Sequence, residues 1–340
     1  MKKIVTLITF SLLLCIIQLS NAQTAKPLYK ITNRFHLEGD FGWDYLNADA
    51  ASNRLFVSHG TMVQVVDLND GKLLATIPDT KGVHGIALAP EFNKGFISCG
   101  RDSSVVVFDL KTLKTTDRFK VTGKNPDAIL YDSYKKIVFT FNGGSSNTTV
   151  IDAATNKILQ TIPLAGKPEF SASDGEGKVY VNIEDKSLLT VINTNTLKVE
   201  NTWPLKPGEE PSGLACDKAD HHLFLVCSNK LMVVMDALTG KVLTTLPIGD
   251  RCDGVAYDPT LRRAYSSNGD GTVTVVQESD NNVFKVLENI PTQKGARTIT
   301  CNPITHKLYL PTAEFEAPSG NGRPAPKPGT FTILEIGENK

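Results

Sequence analysis

The chain is 340 residues long and carries 36 basic and 36 acidic side chains, so its formal net charge is zero. That balance removes the simplest argument for a nucleic-acid partner, which asks for a basic excess. With 41% hydrophobic and 21% charged residues, the chain has the composition of one that buries a core, and its length suits two domains or one large all-β domain.

The first residues read as a targeting signal. Lys2-Lys3 supply a positive start, an apolar stretch runs from Ile4 to Leu19, and Ser20-Asn21-Ala22 offers small residues for cleavage. A signal peptide over residues 1–22, cut near Ala22, implies a periplasmic or secreted protein with no membrane span after cleavage. An uncleaved anchor helix is the alternative. Five cysteines then remain: Cys99, Cys216, Cys227, Cys252 and Cys301. Their number is odd and no CxxC pair occurs, so their ordinary role is as small apolar side chains. Export permits a disulfide, and Cys227 with Cys252 is the candidate pair because both fall near one rim.

The stretch from Lys124 to Gly166 reads as four short strands, Asp127–Asp132, Ile137–Phe141, Thr148–Asp152 and Ile158–Leu164, separated by turn-rich breakers. A meander of this size cannot bury both of its own faces, but copies of it can bury one another's. The copies exist. A V-V-D run recurs as Val65-Val66-Asp67, Val107-Phe108-Asp109, Val150-Ile151-Asp152, Val191-Ile192-Asn193 and Val234-Met235-Asp236, then in degenerate form at Val275-Val276-Gln277 and Ile333-Leu334-Glu335. The period of about 42 residues is that of a four-stranded propeller blade. The Asp is placed to bond backbone amides of the turn that follows it. Upstream, each repeat has an apolar strand closing on Asp or Pro, such as Gly213-Leu214-Ala215-Cys216-Asp217, whose small residues suit the crowded innermost position.

Seven repeats begin near Trp43, Gly82, Lys124, Lys167, Glu209, Arg251 and Gly295. The seventh ends after its third strand, 331–336, and Leu28–Leu37 is the donor of the missing outer strand, which would close the ring and remove an exposed edge. The predicted fold is all-β: residues 23–340 form a single seven-bladed β-propeller of four-stranded antiparallel blades. Separate β-sandwiches are the alternative. Repeat seven carries a Pro/Gly-rich insertion, 313–329, expected as an irregular loop, and repeat six ends in a longer polar turn, 278–282.

In such a meander, the loops entering each blade share one face with the loops between second and third strands. The entry loops contribute Trp43, Asp44, His84, Asp127, Glu169, Glu210, Asp253 and Arg297; the second-to-third loops add His59, Arg101, Glu184 and Asn268. Loops are polar because they are wet, and Asp and Asn serve turns. A polar residue nevertheless recurs at the same point of every repeat, which favours a channel-mouth ring that binds a small polar ligand, a peptide or a protein. Asp44, His84, Glu169 and Asp253 have the ligand chemistry of a divalent cation site, and metal-assisted hydrolysis of an ester or lactone is the alternative to a binding role. His221-His222 falls in a turn on the opposite face and is expected to be solvated. No Gly-x-Ser-x-Gly elbow appears. Aromatics are 7% of the chain and lie within strand patterns, which argues against single-stranded nucleic acid. A monomer is expected.

The strand patterns Leu55-Phe56-Val57-Ser58 and Lys178-Val179-Tyr180-Val181-Asn182, each followed by the V-V-D run, resemble the YVTN repeat. The whole chain after Gln23 is similar to the YncE-like exported seven-bladed propellers of bacteria. That resemblance implies the fold. The same fold serves surface-layer repeats, lactonase-like propellers and cofactor-bearing dehydrogenase subunits; lactonase-like relatives would imply sugar-lactone hydrolysis, but none of their motifs matches here residue by residue.

Overall fold

The computed structural model of the protein describes residues 27–39, 42–317 and 324–339. The expected signal peptide, 1–22, lies outside the described residues. Among those described, no helix is long and apolar enough to cross a membrane.

Seven four-stranded antiparallel sheets follow one another around a ring. Blade 3 contains Pro126–Asp132, Ile137–Asn142, Asn147–Asp152 and Ile158–Pro163, in sequence order from the innermost strand outward. Blades 1, 2, 4, 5 and 6 repeat that order. In blade 7 the sequence supplies Thr300–Asn302, Lys307–Thr312 and Thr332–Glu338, and Tyr29–His36 pairs antiparallel with Thr332–Glu338 as the outer strand. The expected closure by the N-terminal strand is therefore present, and Tyr29 strengthens it by a 2.8 Å hydrogen bond to Tyr265 of blade 6.

The core is divided by the same geometry. Each of the seven seams between blades holds its own apolar cluster; Phe56, Val65, Ile86, Ile97 and Phe108, for example, fill the seam of blades 1 and 2. Sheets stack face to face, so a strand between two seams must be apolar on both faces, and the central strands accordingly read as unbroken apolar runs.

The repeated Asp of the V-V-D run acts where expected. Asp109 Oδ1 accepts the Lys111 and Thr112 amides, and Asp236 Oδ1 accepts those of Leu238 and Thr239. At the inner-strand ends, Asp258 takes the Thr260 and Leu261 amides in the same way. These carboxylates replace backbone partners that the turns lack.

Two expectations are corrected. Cys227 and Cys252 are free thiols; Cys252 Sγ donates to the Cys227 carbonyl at 3.0 Å. His222 is not solvated but buried, its Nδ1 against Glu278 Oε1 at 2.5 Å across the seam of blades 5 and 6. At the described base of the 313–329 insertion, Phe315 forms an isolated antiparallel bridge with Pro326, and the Glu316 and Lys327 amides donate to the Ala325 and Glu314 carbonyls.

Candidate ligand-binding site

In blades 1 to 6 the register of the innermost strand breaks after its first residue, between Trp43 and Leu46, Val83 and Ile86, Pro126 and Ile129, Pro168 and Ser171, Pro211 and Leu214, and Cys252 and Gly254. A bulge of this kind re-aims a side chain and leaves backbone groups unpaired. Polar side chains tie those groups to neighbours: Ser98 Oγ donates to the Asp127 carbonyl, Ser267 Oγ to that of Arg297, and Thr298 Oγ1 to that of Asp44. Each of these bonds crosses to the next blade. The strand starts are thus held rigidly around the axis, and the second residue of each is the one delivered to the channel mouth.

Those second residues are Asp44, His84, Asp127, Glu169, Ser212 and Asp253, with Arg297 preceding the short inner strand of blade 7. Five adjacent blades are linked through them. His84 Nδ1 lies 2.7 Å from Asp44 Oδ2 and 3.5 Å from Asp127 Oδ1. Arg297 pairs with Asp253 on one side and reaches Asp44 Oδ1 at 3.8 Å on the other. On blade 4, Lys167 binds Glu184 and stands 3.2 Å from Glu169 Oε2. Tyr45 and Phe170 meet from blades 1 and 4, ring centroids 5.0 Å apart, and span the channel.

The mouth is short of donors. Asp127 Oδ1 is shut off from solvent and accepts no hydrogen bond, with His84 Nδ1 3.5 Å away, while Glu169 Oε2, equally shut off, has the Lys167 ammonium 3.2 Å from it. Burial pushes the Asp127 carboxyl up to about 6, with Asp44 adding to the effect and His84 opposing it. Burial also raises Glu169 to about 7, reinforced by Asp127 and Glu184 and opposed by Lys167. For His84, burial disfavours the imidazolium, but the Asp44 hydrogen bond and the Asp127 charge outweigh it and raise the pKa. These are the signatures of negative charge crowded into a poorly solvated space.

The remaining sequence candidates divide. Trp43 packs between Phe315 and Phe331 and so supports the mouth from behind, while its carbonyl accepts Arg297. Glu184 joins through Lys167. Glu210 does not: it is exposed, bonds Ser228, and precedes the strand, so Ser212 holds the blade 5 position. His59 is fully buried, 2.8 Å from Gln64 Oε1 and packed at a tilt against the Phe331 ring 4.0 Å away, and serves the core. Asn268 is also buried and locks its hairpin by donating to Thr272 and Thr274, as Asn142 does toward Asn147 and Thr149. Arg101 is exposed on the turn Gly100–Asp102, outside this chain of contacts. Of the four metal candidates, Asp44 and His84 come together; Asp127 joins them, whereas Asp253 is taken by Arg297 and Glu169 by Lys167. Lys167, Tyr45, Phe170 and Ser212 were not singled out by the sequence. Aligning the repeats on Pro126, Pro168 and Pro211 finds Ser212, because each Pro immediately precedes the ring residue.

No protein-family model matches the chain. By sequence it is similar to antigen Lp49 of Leptospira interrogans, 25% identical over 230 residues covering 60% of this chain, and to YncE of Salmonella typhi, 25% identical over 213 residues covering 62%. The matched stretch spans about half, 48%, of each of these relatives. Among solved structures, the fold resembles a chain of Kuenenia stuttgartiensis hydrazine synthase, with a TM-score of 0.71 and 16% identity over 81% of this chain and 94% of that one. It also resembles U3-55K, with a TM-score of 0.76 and 9% identity over 90% and 99% of the two chains. Identities this low speak for architecture alone. The expected resemblance holds at that level: the chain is a seven-bladed β-propeller that is similar in sequence to YncE.

Proposed function

We propose that the protein is an exported ligand-binding propeller whose channel mouth captures a small, polar, positively charged ligand. The observation that carries this reading is the sealed carboxylate oxygen Asp127 Oδ1, which accepts no hydrogen bond and stands in a cluster with Asp44 and His84. An unsatisfied buried acceptor costs about 1–3 kcal/mol, more when charged, and a cationic donor entering the mouth recovers that cost. The rigid bulged strands around it supply the preorganisation that makes such a gain visible as affinity. Export rests on the N-terminal leader composition. The hydrolase alternative draws on the same carboxylates and has no separate observation in its favour.

A thermal-shift panel tests the reading, using cadaverine, spermidine, a Lys-Lys dipeptide and divalent metal salts as probes. At least one cation should raise the melting temperature of the wild type and lose at least tenfold in apparent affinity in the double variant Asp127→Asn/Glu169→Gln. Equal shifts in both proteins, or none in the wild type, contradict it.

A further inference from the structure

The channel mouth offers more than diffuse negative charge. Two carboxylates and an imidazole from three different blades, Asp44, His84 and Asp127, place one ligand atom each within 4.8 Å of one another. The separations from His84 Nδ1 are 2.7 Å to Asp44 Oδ2 and 3.5 Å to Asp127 Oδ1. Zinc-type bonds of about 2.0–2.2 Å in tetrahedral array imply ligand atoms roughly 3.3–3.6 Å apart. One separation already has that value and the other needs only to widen.

A second observation is independent of this clustering. Asp127 Oδ1 is sealed from solvent, accepts no hydrogen bond, and faces His84 Nδ1. An acceptor in that condition calls for a cation beside it. The neighbouring charges are otherwise engaged: Arg297 holds Asp253 and Lys167 holds Glu184, so neither completes the Asp127 shell. Tyr45, packed on Phe170, also lies close enough to Asp127 and Asp44 to feel their charge.

We propose that Asp44, His84 and Asp127 bind one divalent transition-metal ion. This rests on the reading of the mouth as a cation site and names the cation. One imidazole nitrogen with two carboxylate oxygens favours Zn²⁺, Co²⁺ or Mn²⁺ over the all-oxygen preference of Mg²⁺ and Ca²⁺. Three protein ligands leave a coordination position for an exogenous group, such as water or a polar ligand arriving at the mouth. The site draws on blades 1, 2 and 3, so its formation depends on the bulges at Trp43, Val83 and Pro126 that set the three side chains.

The experiment is calorimetric titration of tag-free, chelator-treated full chain with Zn²⁺, Co²⁺ or Mn²⁺ alone, with Co²⁺ visible absorption as a report on the ligand field. Variants His84→Gln and Asp127→Asn are compared with His222→Gln, which alters a second close group of such side chains among the described residues, Asp217, His222 and Glu278. The expected result is one ion per chain, bound at least tenfold more weakly by His84→Gln and by Asp127→Asn and unchanged by His222→Gln, with circular dichroism showing all three variants folded. Unchanged binding in the folded mouth variants, or loss in His222→Gln, overturns the site. Absence of any metal binding by the wild type also overturns it, and retained capture of amines in that case leaves the broader function standing.

Discussion

At the scale of single residues, Asp127 is the least comfortable group at the mouth. Its folded-state pKa, about 6, and that of Glu169, about 7, both lie above the ordinary carboxylate value near 4. Between those values the native state binds more protons than the unfolded one, so stability falls as pH rises through the window from about 4 to 7. Metal-free wild type should therefore gain melting temperature on acidification from pH 8 to pH 5 relative to Asp127→Asn/Glu169→Gln. A difference on the order of 3–4 kcal/mol, several degrees, is expected for the pair; parallel pH profiles would show that the two carboxyls are not under strain. Most of the ring was legible at this scale because the repeat aligns it: Asp44, His84, Asp127, Glu169, Asp253 and Arg297 occupy one position. Glu210 misled because two acidic residues precede Pro211, and only the bulge decides which residue is delivered. His59 and Asn268 misled for a different reason. A polar residue next to a turn reads the same whether it faces water or, as these do, caps a buried hairpin.

At the scale of the element, the blade is held by side chains that finish what its turns leave open. Asp236 accepts two amides and the Thr239 hydroxyl. Asp236→Ala removes all three acceptor contacts at an accessible turn, where water partly substitutes, and should lower stability by about 1–2 kcal/mol in urea denaturation. An unchanged midpoint would mean the turn is set by backbone alone. The strands themselves were visible from the recurring apolar runs and the breakers between them, and the longer hairpin of repeat six appears as the extended pair Thr272–Ser279 and Val283–Pro291. The bulges were not visible. They are register effects between two strands, and no single strand sequence carries them.

At the scale of the molecule, closure is the decisive event. Tyr29–His36 pairs along the whole of Thr332–Glu338, and Tyr29 contributes to the seam with blade 6. Deleting residues 27–37 leaves a bare edge and an open seam, so the truncated chain should melt at least ten degrees lower or aggregate, as followed by scanning calorimetry and light scattering. A truncated protein that melts like the full chain would show that the ring does not depend on its N-terminal strand. Counting repeats was enough to predict this arrangement, because seven copies with one strand missing leave a single place for residues 28–37. What the count does not give is chemistry: the seams are alike, and the mouth differs from blade to blade.

A mouth built to hold a cation is tested by locating one there. Crystals soaked separately in Mn²⁺ and in 4-bromobenzylamine give anomalous difference maps that mark the metal and the bromine of the amine. The strongest manganese peak is expected within bonding distance of Asp127 and His84, and the amine of the organic probe beside Asp127 or Glu169. Peaks confined to other places, the Asp217–His222–Glu278 group included, would contradict it.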